Sequence, residues 1–333
     1  MKQDVFIGNY SEQGISKLEF SENKNLKEAS KIGDLKKSFY VCKYKNFLYS
    51  VTETGGDDKV NSGYVVSYKL NNNEINFINT TTSYGKSPCF LIVDPLREIL
   101  YVANYSDGSF VAFKLNEDGS IGEKIYYEKF GDISRVHHIQ FSKDYKSVYI
   151  VDLGEDCIIE YNIEYSHIKL NLTEKSRYYF PKKSEPRHMV MDKENNIYIV
   201  TEKSCEVYKL SHDSKEQIII DEKKLILPKG TKKEEEYTGC AIKIDSKMQY
   251  MYISVRGHNS ISVFNIENGN IELIQNVKSQ GDTPTDIAFD KYEKYLFCAN
   301  KVSDNISLFS IKNGLLSYEN DYKIEAPTCI VID

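Results

Sequence analysis

Pro88-Cys89-Phe90-Leu91-Ile92-Val93-Asp94 is followed by Leu100-Tyr101-Val102-Ala103-Asn104, then by Ser109-Phe110-Val111-Ala112-Phe113-Lys114-Leu115. These short runs are rich in Val, Ile, Tyr and Phe, and polar turns separate them. They read as consecutive antiparallel β-strands. The first run opens on Pro and closes on Asp, and the same grammar returns along the whole chain. The matching aromatics of the second strand are Phe6, Tyr49, Tyr101, Tyr149, Tyr198, Tyr252 and Phe297. They recur about every 43–54 residues, the kind of period that marks a repeat architecture. No amphipathic helix of convincing length interrupts the series.

The two ends of the chain complete the pattern. Ala326-Pro327-Thr328-Cys329-Ile330-Val331-Ile332-Asp333 matches the first strand of a repeat, but nothing downstream continues it. The continuation stands at the N-terminus as Val5-Phe6-Ile7-Gly8-Asn9-Tyr10, with a third strand near Gly14–Phe20. The seventh unit is therefore built from both termini, a join that removes exposed sheet edges. The expected fold is all-β: a seven-bladed β-propeller of four-stranded antiparallel blades, closed by N- and C-terminal strands in one blade. It forms a single domain over residues 1–333.

Composition narrows the function classes. The 43 Lys+Arg against 49 Asp+Glu give a formal charge of −6, which disfavours a nucleic-acid binder relying on cationic contacts to phosphates. Apolar residues at 41% and charged residues at 28% fit an ordinary globular protein. No apolar run reaches the ~18 residues of a membrane span, and Met1–Val5 does not open an apolar signal segment. The seven Cys are scattered singles without a CxxC pair. This speaks against a disulfide framework or a zinc site and for a reducing, cytoplasmic setting. A closed ring completes its own core, so a monomer is expected.

Hairpin arithmetic locates the chemistry. The start of one strand lies beside the end of the next, so these two slots from every blade project onto one face. The starting slot holds Phe39, Cys89, His137, Arg187, Cys240, Thr285 and Thr328. The ending slot holds Tyr10, Glu53, Tyr105, Leu153, Glu202, Arg256 and Lys301. Arg187 and Arg256 suit planar, bidentate recognition of carboxylate or phosphate. His137, with an ordinary pKa near ~6.5, transfers protons at neutral pH. Glu53, Tyr105, His258 and Lys301 are candidate substrate-binding residues. Plainer roles exist for some of these: a structural ion pair for Arg187 with Glu202, a turn hydrogen bond for His258, solvation for Glu53 and Lys301. His138 and His188 should point away from the slot face. Asn104 and Asn300 should fix turns, and the cysteines should fill the core. No GxSxG elbow, Walker loop or dinucleotide-binding fingerprint is present. Gly55-Gly56-Asp57-Asp58 is a weak Ca²⁺ signal, and no metal or other cofactor is expected.

Several segments carry a family likeness: Ala103-Asn104-Tyr105-Ser106-Asp107-Gly108-Ser109, Val151-Asp152-Leu153-Gly154-Glu155-Asp156, Pro186-Arg187-His188 and Arg256-Gly257-His258-Asn259-Ser260-Ile261. In order, they resemble motifs of the lactonase propeller family, which includes propeller-type 6-phosphogluconolactonases and a fungal carboxymuconate-lactonising enzyme. The absence of Trp excludes the WD40 signature, and a lone Gly pair argues against kelch. The resemblance implies a His, an Arg, a Glu and an Arg in catalytic positions, here His137, Arg187, Glu202 and Arg256. It implies a metal-independent lactonase converting 6-phosphoglucono-1,5-lactone to 6-phosphogluconate in the pentose phosphate pathway. The partner would be a small anionic lactone or sugar phosphate, with no nucleic acid or membrane. Two other readings stand beside it: a carboxymuconate-type lactonising cycloisomerase, and a non-catalytic propeller binding a sugar acid or a protein. The chain departs from the family pattern at Arg135, Ala241 and Thr285, where relatives carry His, Glu and commonly Arg.

Overall fold

A computed structural model describes residues 2–12, 14–21, 23–32, 37–53, 63–71, 74–166, 169–267 and 269–333. Among these residues the regular structure is strand alone, in seven groups of four. The first sheet contains Ser38–Tyr44, Phe47–Thr52, Tyr64–Asn71 and Glu74–Thr82. The second contains Pro88–Asp94, Ile99–Asn104, Ser109–Leu115 and Ile121–Lys129. The third contains Val136–Phe141, Ser147–Asp152, Cys157–Ser166 and Lys169–Tyr179. The fourth contains Pro186–Met191, Ile197–Thr201, Glu206–His212 and Ile218–Leu225. The fifth contains Thr238–Ile244, Tyr250–Arg256, Ser260–Asn265 and Glu272–Lys278. The sixth contains Pro284–Phe289, Tyr295–Asn300, Asn305–Lys312 and Leu315–Lys323. In these six sheets consecutive strands pair antiparallel, as an unbroken meander requires.

The seventh group joins the chain ends, and a single antiparallel pair, Asn9 with Ser38, links it to the first group. Pro327–Ile332 pairs with Lys2–Asn9, followed by Ile15–Ser21 and Leu26–Ile32. Beyond the last strand, Asp333 N–H donates to the Asp4 carbonyl at 2.9 Å. Asp286 fastens the same strand from the sixth sheet: its fully buried carboxylate accepts the Ile330 N–H at 2.9 Å and the Ile287 N–H at 2.9 Å. Gln3 reaches the turn of the sixth sheet, donating to Asp290 and accepting from Lys291 N–H at 2.8 Å.

The chain divides into two compact units: Met1–Ile7, Leu18–Glu28 and Phe180–Asp333 form one, and Gly8–Lys17 with Ala29–Tyr179 form the other. Each has its own core. In the first unit Tyr198, Val200, Val207, Ile253, Val255 and Phe264 make one cluster, and Val5, Phe20, Phe297, Leu308 and Ile330 another. In the second unit Phe90, Tyr101, Phe110, Ile139, Ile150 and Tyr161 pack together.

All seven aromatics of the repeat are buried, at 3% exposure or less. A buried tyrosine hydroxyl seeks a partner, and that of Tyr101 is left without one among the described residues. Tyr49 donates to the Gly119 carbonyl at 3.1 Å, and Tyr252 to the Gly314 carbonyl at 2.8 Å. Gly119 and Gly314 are left-handed, with φ of 84° and 77°. A Cβ on Gly119 would lie 2.1 Å from the Phe47 ring, so only glycine fits there. Where an Asp closes a first strand it caps the following turn: Asp94 accepts from Leu96 and Arg97 N–H, and Asp245 from Gln249 and Tyr250 N–H.

Candidate active site

A β-bulge builds the starting slot. In the first strands the register breaks between Ser38 and Tyr40, Pro88 and Phe90, Val136 and His138, Pro186 and His188, and Pro284 and Asp286. The residues left over are Phe39, Cys89, His137, Arg187 and Thr285, which are the starting-slot residues. In the fifth sheet the break lies between Gly239 and Ile242 and takes in Cys240. A bulge bends the strand and re-aims the extra side chain. The next residue then returns to the core, as the His138 ring does against Phe90 at 4.2 Å between centroids.

The ending slot is held to the same place by the backbone. The amides of Tyr105, Glu202 and Lys301 donate to the carbonyls of Ser87, Glu185 and Thr283 at 3.0, 2.6 and 3.0 Å. Those three acceptors are non-glycine residues in the left-handed region, with φ of 51°, 56° and 60°. Such backbone strain persists only where its surroundings over-determine it. Asn104 and Asn300 serve the same corner, donating to the Ser83 and Ser279 carbonyls and also across their own turns to the Ser109 and Ser307 hydroxyls.

In the first unit this scaffold brings three of the four expected catalytic residues together. Glu202 Oε2 lies 3.0 Å from Arg187 Nε, and its Oε1 lies 2.7 Å from Arg256 Nη2. One carboxylate thus bridges two guanidinium groups. The two contacts differ in kind. The Arg187 Nε–H is not directed at the carboxylate and has no hydrogen-bond acceptor, so that contact is an ion pair only. Directional restraint on Arg187 comes instead from Cys240, whose Sγ accepts from Nη1 at 2.9 Å. Arg256 is oriented by Thr238, whose hydroxyl accepts from Nε at 3.0 Å. The Arg187 side chain is 12% exposed and that of Arg256 is 22%.

His258, two residues beyond Arg256, packs edge-on against Tyr237 and places Nδ1 2.7 Å from Ser260 Oγ. Burial, and secondarily the Lys278 cation, hold its pKa below the usual 6.5. Its imidazole is therefore neutral at pH 7. Lys301 stands half-buried in the ending slot of the sixth sheet. In the other unit His137 is buried at 8% exposure, its ring edge-on to Tyr105 at 5.7 Å between centroids. Glu53 is exposed at the end of Phe47–Thr52, so the structure shows it solvated. Gly55-Gly56-Asp57-Asp58 lies outside the described residues. Among the described residues no group of three or more His, Cys, Asp or Glu is placed to hold a metal. No helix among them is long and apolar enough to cross a membrane.

Cys240 is the residue the sequence reading undervalued. It was expected in the core, and it is fully buried, yet it touches Arg187. Its place in the starting slot was the available signal.

Repeated four-stranded blades with two arginines and a carboxylate gathered at strand ends define a class of β-propeller with a charged polar site. The family model described as lactonase, seven-bladed β-propeller, matches residues 4–332, and the chain belongs to that family. Its fold class is accordingly the seven-bladed β-propeller. A protein named 6-phosphogluconolactonase from Bacillus subtilis is 30% identical over 86% of this chain and 84% of its own. Another of that name from Formosa agariphila is 25% identical over 86% of each chain. Among solved structures, the Pseudomonas aeruginosa periplasmic gluconolactonase PpgL has a TM-score of 0.86 at 19% identity, covering 100% of this chain and 99% of its own. A Lactobacillus plantarum protein has a TM-score of 0.88 at 23% identity, covering 100% and 99%. These last two support the fold.

Proposed function

We propose that this protein is a lactonase that hydrolyses 6-phosphoglucono-1,5-lactone to 6-phosphogluconate, in the cytoplasm and within the pentose phosphate pathway. The observation that carries the reading is the bridged pair Arg187–Glu202–Arg256, in a family whose named relatives act on lactones. Hydrolysis of a lactone develops negative charge on the carbonyl oxygen, and a preorganised donor in a water-poor site stabilises it. Arg187 suits that role, being the more buried arginine and holding an N–H with no acceptor. Arg256, nearer solvent, suits the anionic group of the substrate. Glu202, whose carboxylate lies against both guanidinium groups in the same unit, is the proposed proton acceptor.

In the reaction, a water oxygen bonds to the lactone carbonyl carbon while one water proton passes to the Glu202 carboxylate. Collapse of the tetrahedral intermediate breaks the bond to the ring oxygen. The protonated Glu202 returns its proton to that oxygen, which leaves as a hydroxyl. The new carboxylic acid ionises and releases one proton. Because the two arginines supply the positive charge, a chelator should leave the rate unchanged.

The deciding experiment presents freshly made 6-phosphoglucono-1,5-lactone and follows the acid product through a dehydrogenase-coupled assay, with the fast spontaneous reaction subtracted. Catalysis above that background is expected. A rate equal to background removes the proposal. Cyclisation of a carboxymuconate by the same preparation would transfer it to the ring-forming direction.

A further inference from the structure

The strand-start residues of the first unit are linked into a chain of hydrogen bonds. Thr285 Oγ1 donates to the Pro327 carbonyl at 3.1 Å, with the Ala299 carbonyl at 3.2 Å as a second acceptor. Cys240 Sγ–H donates to the Thr285 carbonyl at 3.1 Å, and its sulfur accepts from Arg187 Nη1 at 2.9 Å. The chain crosses four first strands, from the C-terminal strand to Arg187. We propose that it sets the orientation of the Arg187 guanidinium, with Cys240 and Thr285 as positioning residues.

The reason is a division of labour around Arg187. Glu202 attracts the guanidinium by charge but takes no directed hydrogen bond from Nε, so on its own it leaves the plane free to turn. Cys240 supplies the missing direction. The thiol is fully buried, and it is anchored on its far side because its own proton is spent on the Thr285 carbonyl. Only a group that both accepts and donates can stand here, and a thiol does so weakly but in both senses. Thr285 in turn fixes that carbonyl by holding its own strand to Pro327.

The inference rests on the reading of Arg187 as the group facing the lactone carbonyl. A misplacement of about 1 Å at such a group costs up to about 10²-fold in rate. Cys240→Ala should therefore lower kcat by on the order of ten-fold, with KM within about two-fold. Cys240→Ser, which restores an acceptor and a donor, should recover most of the loss. Thr285→Val, which keeps shape and removes the hydroxyl, should give a smaller loss in kcat. A second measurement separates positioning from activity: the ¹⁵N signals of the Arg187 guanidinium, assigned with Arg187→Lys. Restricted rotation about Nε–Cζ is expected in the parent and in Cys240→Ser, and averaged signals in Cys240→Ala. Unchanged signals and unchanged kcat in a folded Cys240→Ala protein would overturn the proposal. If the parent shows no lactonase activity, the functional reading falls, and the guanidinium signals alone decide the positioning role. If Cys240→Ala fails to fold, Thr285→Val and Cys240→Ser decide it by the same two measurements.

Discussion

Arg187 and Arg256 touch the same carboxylate, yet their second partners and their exposures differ, so their removal should differ in kind. Arg187→Ala should lower kcat by about 10²–10³-fold, equivalent to about 2.7–4 kcal/mol of barrier, as loss of an oxyanion-hole donor does. Arg256→Ala should mainly raise KM, because it removes binding common to ground and transition states. Steady-state kinetics of the two variants checks this, and identical kinetic signatures would refute the division of roles. His258 gives a second test at this scale. Its folded pKa lies below 6.5, so as pH falls through that value the unfolded chain takes up a proton that the folded chain refuses. Stability on this account is complete above about 6.5 and is lost as pH falls towards the lower folded value. The histidine ring signals should place His258 below 6.5, and Lys278→Gln should move it upward by removing the second cause. Much of this corner was legible from spacing: Arg187 and Glu202 share a hairpin, and Arg256 occupies the matching slot one repeat later. The bridging of both arginines by one carboxylate was not legible, because it depends on side-chain reach across neighbouring sheets, which periodicity does not encode.

The strand elements carry their own consequences. Asp286 is buried, and burial raises its pKa, while the N–H groups of Ile287 and Ile330 bind its carboxylate. Asp286→Ala would leave two buried donors without their acceptor, at about 1–3 kcal/mol each. Equilibrium urea denaturation should show that loss, and a change under about 0.5 kcal/mol would show that the carboxylate does not hold the strand. The sign of its pH dependence follows from the raised value. Between the unfolded Asp value of about 3.9 and the higher folded value, the folded chain holds the extra proton. Its contribution is therefore greatest at low pH and declines as pH rises through that window. The strands were readable from alternation, and the terminal match was readable because Pro327–Asp333 repeats the opening grammar of Pro88–Asp94. The bulges at Phe39, Cys89, His137, Arg187 and Thr285 were not. One extra residue in an apolar run changes neither its composition nor its length noticeably, yet it decides which way the side chain faces.

For the molecule as a whole, the scattered cysteines and the fold agree that no cross-link is needed. All seven are free, and five are buried. Thiol titration in denaturant without reductant should find seven, while the folded protein should react slowly. Recovery of a disulfide would contradict this. Removing Pro327–Asp333 should abolish cooperative unfolding, since it strips the paired edge from Lys2–Asn9 and one of two acceptors from Thr285. Circular dichroism melting of the truncated chain reads the outcome. The pairing of Lys2–Asn9 with Pro327–Ile332 also sets a timetable for the nascent chain. At roughly 5–20 residues per second, a ribosome needs on the order of tens of seconds to make the partner of the strand it made first. Throughout that interval one edge of the earliest strand has no native neighbour, so this protein must be born with its first segment waiting, sheltered by the growing chain or by a chaperone, until the last one arrives.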